Sequence, residues 1–431
     1  MPIVAIAGIV FWGLGLWPGL YNLDSFQDFR AGKIGEIREW TSIPYGFWVW
    51  ILGTTGTALL QALGVCAGLI WIHLKWLRLG VSKRWVFASL GIFLILPLNG
   101  VMTFYLTRNT VFSWMLLVTA ILPSIWVLQG LKRVPKPWVF AYGAWVSTTA
   151  MIRPEAWASV PIAIYAVLRF FPKDRKQNLT RLASGALASV LFFWVLVPAL
   201  CPIQKAGRVH AMIPILNPLG HFATEGKLTA VEEAVFEKGV DLGALKKSHV
   251  AHDIPILQIG GVRESSEAEF SEIRKTYITV VLRNLGSFFE NRFSLLWAYL
   301  GFSPFTHYFA DDLNQTYPFA LESRQVLELK PSDSAMRPSV IAFLNTFFSW
   351  SALRIFSQAL IALLVSITGI FFYKRLPATA TACAIELARF TALFLTAPAA
   401  SFLYSYPLYL FGFFVPTLAW AESRQKRTVN R

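Results

Sequence analysis

Acidic residues are scarce in this chain. It has 24 Asp and Glu among 431 residues, against 39 Lys and Arg, for a net charge of +15. Charged residues of both signs make up only 15%, well below the ~25% of soluble domains. Cysteine is nearly absent. Cys66, Cys201 and Cys383 all lie in or beside apolar segments, which excludes a disulfide framework and metal-ligand spacing and leaves small core residues as the plain reading. The six histidines show no metal spacing either; His249 and His252, three apart in a polar stretch, come nearest to one. There is no inverted repeat and no low-complexity stretch. The N-terminus has no charged leader region and no clear small-residue cleavage site, so the first apolar segment reads as a retained helix and not a signal peptide.

What the chain has in abundance is apolar sequence, 55% of its residues. It is arranged in runs of about 20, the length a bilayer demands. Ten spans are expected, near 3–21, 52–73, 85–106, 110–130, 138–152, 156–171, 182–201, 350–373, 378–398 and 402–420. Tryptophans near segment ends (Trp17, Trp40, Trp85, Trp138) fit an interfacial belt.

Positive charge alternates with these runs. One class of short loops holds Lys75, Arg78, Lys83, Arg84, Lys132, Arg133, Lys136, Arg169, Lys173, Arg175, Lys176 and Arg181, then Lys374, Arg375, Arg424, Lys426, Arg427 and Arg431, with only Asp174 and Glu422 as acids. The other class holds Arg30, Lys33, Arg38, Arg108 and Arg153. Basic short loops stay cytoplasmic, so both termini are expected inside and the acids outside. Topology and anionic head groups account for the positive excess, and no nucleic-acid partner is implied. The expected fold class is all-α: a polytopic transmembrane helix bundle with one large outer helical loop region. Its parts are 1–201 (spans one to seven, with a first outer loop at 22–45), an extracytoplasmic region at 202–337, the C-terminal spans at 338–421 and a basic tail at 422–431.

The 202–337 region holds most of the chain's acids. It starts irregular, with Pro202, Pro214 and Pro218. A helical pattern follows over Leu228–Lys238, with Thr229 as N-cap, and another runs from Glu267 through Trp297 with Arg274, Arg283 and Arg292 between its apolar positions. A loop of this length is a functional element or a docking surface.

The first outer loop carries the most chemistry. Between Asp24 and Ile37 the spacing predicts an amphipathic helix, with Phe26, Phe29, Ile34 and Ile37 on one side and Asp24 and Asp28 together on the other. Such a helix lies in the membrane interface. Its carboxylates then sit at head-group depth, where one could take a proton from an acceptor hydroxyl; alternatively Asp24 caps the helix and Asp28 is solvated. Two outer turns each carry one arginine, Thr107-Arg108-Asn109 and Arg153-Pro154-Glu155. Arginine grips phosphate with a planar fork of donors, though arginines at an outer interface also simply reach to head groups. Arg283, Arg292 and Arg354 are weaker candidates of the same kind. Glu386 and Arg389, three apart within a span, form either a functional pair or a packing ion pair. Asn314-Gln315-Thr316 fits a glycosylation acceptor.

These motifs resemble those of GT-C superfamily polytopic glycosyltransferases. Pro18-Gly19, Asp24-Ser25 and Glu39-Trp40 with Pro44 are similar to that family's first-loop series. Arg108 and Arg153 fall where its later basic turns lie, and Tyr404-Ser405-Tyr406-Pro407 resembles its late aromatic-proline helix. The resemblance implies transfer of a sugar from a polyprenyl-phosphate donor to an extracytoplasmic glycan, lipid or protein acceptor, with inversion, at the outer face of a bacterial inner membrane. It makes Asp24 the general base or acceptor binder and Arg108 and Arg153 the candidate donor-phosphate ligands, with Tyr406 a weaker candidate. Two departures stand out. Ser25 occupies the position where many members carry a second acid, which leaves Asp28 and Glu39 as substitutes, and the family's histidine after the acidic-Trp pair is missing. No cofactor is required, no metal site is assigned, and a divalent cation is left open. Two other classes compete: a transporter or flippase for lipid-linked glycans, and a non-catalytic assembly protein of the same fold.

Overall fold

The computed structural model describes residues 1–39, 42–250, 254, 260–303, 308–309, 311, 315, 318–330, 334–350, 355–397 and 401–429. Among these the chain is helical almost throughout. α1 (Pro2–Leu16), α2 (Leu23–Lys33) and α3 (Ile43–Arg78) open it, and the one sheet is a two-residue parallel ladder of β1 (Ile37–Arg38) on β2 (Ile203–Gln204). Among the described residues five helices are long and apolar enough to cross a membrane: α3, Arg108–Leu128, Pro172–Leu200, Pro377–Thr396 and Phe402–Gln425. The chain is an all-α membrane protein.

The remaining expected spans take other forms. The one near 85–106 is a pair of helices, Lys83–Ile95 and Pro97–Phe104, bent by 67°; Pro97 lacks the N–H that would continue the first. The segment at 138–152 is a 17-residue helix, and Pro154 then opens a 3₁₀ turn, Pro154–Ser159, before an 11-residue helix, Val160–Phe170. The expected 350–373 span is described as a helix only over Leu360–Phe371.

The chain forms two compact units. One comprises residues 1–204, 308–390 and 405–431, the other 205–307 and 391–404. The second unit is therefore smaller than the 202–337 region, because 308–337 belongs with the first. In the first unit the helices Lys136–Ile152 and Arg175–Leu191 touch backbone to backbone. A Cβ at Gly185 would lie 2.0 Å from the Phe140 carbonyl oxygen, and one at Gly143 2.3 Å from that of Leu182. In lipid, where apolar tails compete with apolar side chains, such close approach supplies the contact energy. The two acids of the basic loop class have local duties. Glu422 accepts from the amides of Ala378 (3.0 Å) and Thr379 (2.9 Å) at the start of the Pro377 helix, and Asp174 pairs with Arg133 at 3.3 Å.

The second unit has its own core, built on Met212, Leu216, Leu219 and Phe222 from one helix, Arg208–Thr224, packed on Phe236, Ile273 and Val280. Here the sequence expectation of an irregular start is corrected. Pro214 and Pro218 lie inside that helix. Each removes a hydrogen bond at a cost of ~3 kcal/mol, and a fully buried apolar stripe at helical spacing offsets it. Thr229 caps Ala230–Phe236 with Glu232 completing a capping box, as its position suggests. The long pattern after Glu267 breaks at Asn284 into two helices, Glu267–Arg283 and Leu285–Tyr299.

Candidate functional site

The site starts where α1 ends. Arg337, fully buried, donates to the carbonyls of Leu16 (3.2 Å), Trp17 (3.3 Å) and Gly19 (2.9 Å) and pairs with Asp311. One guanidinium thus holds the whole Pro18-Gly19 turn. The chain then bridges to a distant segment: Leu20 N donates to Phe104 O (2.7 Å) and Leu106 N to Leu20 O (3.0 Å). α2 begins at once, capped by Asn22, whose side chain accepts from Ser25 N at 2.8 Å. The Ser25 hydroxyl lies 2.7 Å from the Leu106 carbonyl. Asp24 is therefore not the cap of this helix; Asn22 is. Arg108 opens the next helix two residues beyond Leu106.

α2 is shorter and more enclosed than its pattern suggests. It stops at Lys33, and Gly35 follows at φ +82°, a left-handed turn that ends helices. Ile37 consequently leaves the helix for β1, and Ile34 stays 67% exposed. Nor do the two aspartates share one open face. Asp24 is exposed, whereas Asp28 is buried with Ser25, Phe26 and Phe29. The apolar side of α2 is covered from far down the chain. Arg30 pairs with Glu322 at 2.7 Å and Lys33 with Glu328 at 2.9 Å, and Ala320 and Leu327 join Phe26, Phe29, Tyr21 and Tyr45 in one apolar cluster.

Polar groups gather around Asp28. The β1–β2 ladder carries Arg38 back over α2, where Nη1 donates to Gln27 Oε1 at 2.6 Å. Burial lowers the Arg38 pKa and Arg108 adds to the effect, while Asp28 and Asp24 oppose it. Tyr45 feels the charges of both Asp28 and Arg108. The hydroxyls of Tyr45 and Tyr21 are buried without a hydrogen bond among the described residues. One electrostatic cluster thus joins Asp24, Asp28, Arg38, Arg108 and Tyr45. Sequence reading had treated Arg38 only as loop charge, and Arg337 not at all. Glu39 sits at the end of β1 with its amide on Gln204 O at 3.0 Å; Trp40 and Thr41 lie outside the described residues.

Arg153 is placed differently. Its side chain is 8% exposed and is taken up by Glu155 and Asn109, each at 2.8 Å. Burial pushes the Glu155 carboxyl up, and Arg153 more than offsets it, so its pKa falls below the usual value. Glu386 and Arg389 do form a buried ion pair, and Arg389 also attracts Glu155. Arg153 therefore reaches Arg108 through its neighbour Asn109.

Three of the weaker candidates, Arg283, Arg292 and Tyr406, have partners within the protein. Arg283 forks onto both Glu232 oxygens at 2.8 Å, which holds the Glu232 pKa at about 2. Arg292 is fully buried, donating to Asn291 Oδ1 and, at 2.8 Å, to the Ala397 carbonyl at the end of a helix. Tyr406 is buried and stacked on Tyr409. Arg354, His252, Asn314 and Thr316 lie outside the described residues.

A cavity of about 720 Å³ adjoins the first loop. Its walls are α1 (Ile6, Val10, Leu14) and α3 (Leu59, Leu63), and its mouth carries Trp17, Pro18, Glu328 and Lys330. Val10, Leu14, Leu59 and Leu63 are each about half exposed, so the groove opens sideways along the helices. Glu328 is the partner of Lys33 on α2, and Leu329 lines the groove while packing on the α2 cluster. No family model, curated protein or solved structure matches the chain.

Proposed function

We propose that this protein is a membrane glycosyltransferase of the GT-C kind that takes its sugar from a polyprenyl-phosphate donor. One observation carries the reading: an exposed carboxylate and two arginines share a cluster in the first loop, and the same loop's helix α2 pairs through Lys33 with Glu328 in the wall of an apolar, sideways-open groove. Such a groove suits an isoprenoid tail, whose apolar surface gains from leaving the head-group region. In this reading Arg108 and Arg38 hold the phosphate. Asp28, buried beside them, fixes their direction, and Arg153 steadies Asn109.

The chemistry then needs two things. Asp24 takes the proton of the acceptor hydroxyl as its oxygen attacks the anomeric carbon from the side opposite the leaving group. The bond from that carbon to the phosphate oxygen breaks, and the arginines stabilise the charge gathering on the departing lipid phosphate. The configuration inverts. Glu39, at the end of β1, acts on the acceptor side.

The reading includes an orientation: ten crossings, basic loops and both ends cytoplasmic, and the loops of Asp24, Arg108 and Arg153 outside a bacterial inner membrane. The native cysteines are all buried. A cysteine at the exposed Lys275 should react with an impermeant maleimide in intact cells, and one at the exposed Gln177 should not; the reverse labelling would overturn the orientation.

A second reading, transport of a lipid-linked glycan, draws on the buried set Arg153, Glu155, Glu386 and Arg389. Ionisable groups among apolar helices commonly mark a transport path. It predicts movement of donor lipid between leaflets without sugar release. A non-catalytic assembly role predicts neither.

A further inference from the structure

A second cluster of reactive side chains lies wholly in the unit of residues 205–307 and 391–404. His221 and Glu225 are four apart at the end of the Arg208–Thr224 helix, and Glu290 comes from the Leu285–Tyr299 helix. One nitrogen and two carboxylate oxygens from these three residues lie within 4.8 Å of one another. His221 Nε2 is buried without a hydrogen bond, 3.4 Å from Glu225 Oε1. Ser287, one turn before Glu290, donates to Glu225 Oε2 at 2.7 Å and so fixes the direction of that carboxylate. A second imidazole stands nearby. The rings of His221 and His249 are 6.1 Å apart, and His249 Nδ1 packs so closely on Gly220 that a Cβ there would meet it at 2.5 Å.

An ordinary helix-end ion pair between His221 and Glu225 explains two of these residues. It does not explain why a carboxylate from another helix converges on the same point, nor why one carboxylate is held by a serine hydroxyl. An imidazole, two carboxylates and an orienting outer hydroxyl make a donor set for a borderline divalent cation. At Zn–ligand distances of about 2.0–2.2 Å the donors of a tetrahedral site stand roughly 3.4 Å apart. Rotation of the exposed Glu290 side chain is enough to reach that from the present separation.

We propose that His221, Glu225 and Glu290 form a zinc-class divalent cation site, with water or His249 completing the coordination. The ion would clip the two helices together within the second unit, and the proposal stands or falls independently of the transfer reaction.

The test uses the full chain in detergent, tag-free and stripped with EDTA, titrated with Zn²⁺ by calorimetry. Co²⁺ is a spectroscopic stand-in. The expected result is one saturable Zn²⁺ per chain and a rise in Tm on loading. Affinity should weaken at least about tenfold in both Glu290→Gln and His221→Gln, with loss of the visible Co²⁺ band in His221→Gln. Glu290 is exposed, so its glutamine variant keeps the fold and isolates the ligand. Absence of saturable binding to the wild type, or unchanged affinity in both variants, would overturn the site.

Discussion

The Ser25 hydroxyl and the Leu106 carbonyl oxygen are 2.7 Å apart across 81 positions of sequence. This contact ties the helix of Asp24 and Asp28 to the turn of Arg108. Ser25 stands where the resembled family often has a second acid, and here it joins the two halves of the site. Ser25→Ala removes half of the capping box, worth ~1 kcal/mol. The expected outcome is a Tm only a few degrees lower with a larger fall in turnover, measured side by side on one preparation.

Arg337 is the strongest structural prediction. It holds three carbonyls and Asp311 while fully buried. Arg337→Met leaves a largely enclosed carboxylate and bare carbonyls, a loss of about 3–5 kcal/mol. Arg337→Lys cannot reproduce the fork and should rescue little. Detergent-solubilised yield and thermal unfolding would read both.

Gly185 and Gly143 have no room for a side chain. Gly185→Ala places a methyl against the Phe140 carbonyl. Overpacking of this kind costs typically about 1–3 kcal/mol. Gly64, where an added Cβ meets nothing within 4 Å, is the control. Fluorescence-detected gel filtration should show loss of the monodisperse peak for Gly185→Leu, a milder loss for Gly185→Ala, and none for Gly64→Ala.

The pair Arg283–Glu232 gives a pH dependence with a defined sign. The native Glu232 pKa is held down to about 2, so the unfolded chain binds its proton first as pH falls. The stabilisation is complete above the ordinary carboxylate value of about 4.5 and is lost between there and about pH 2. Arg283 is 44% exposed, so the gain is screened and modest. The Tm difference between wild type and Glu232→Gln should be constant from pH 7 to about 5 and shrink below it. A constant difference through pH 3 would contradict the assignment.

Helix content and the apolar runs follow from periodicity alone, which survives any tertiary arrangement. The N-cap at Thr229 was legible because a threonine directly precedes the helical pattern. The cover over Phe26 and Phe29 was not, since it comes from Ala320 and Leu327, some 300 positions on. Arg337 was hidden for the same reason: its carbonyl partners belong to the first turn, and carbonyls have no letter in a sequence. Gly35 did carry a local signal, a glycine after an apolar stripe, and reading it as a stop would have kept Ile37 out of the helix. Pro214 and Pro218 misled because local propensity loses to a buried stripe of five apolar side chains.

In the proposed reaction Asp24 removes a proton while Arg108 and Arg38 stabilise a leaving lipid phosphate. The most direct measurement is the release of free polyprenyl phosphate, followed by mass spectrometry, from a polyprenyl-phosphate sugar and candidate acceptors. Wild type, Asp24→Asn, Arg108→Ala and Arg38→Ala would be compared at matched folding. The account predicts acceptor-dependent release by wild type, loss of at least about a hundredfold in Asp24→Asn, and donor binding retained in Asp24→Asn but weakened in both arginine variants. Undiminished release by Asp24→Asn would contradict it.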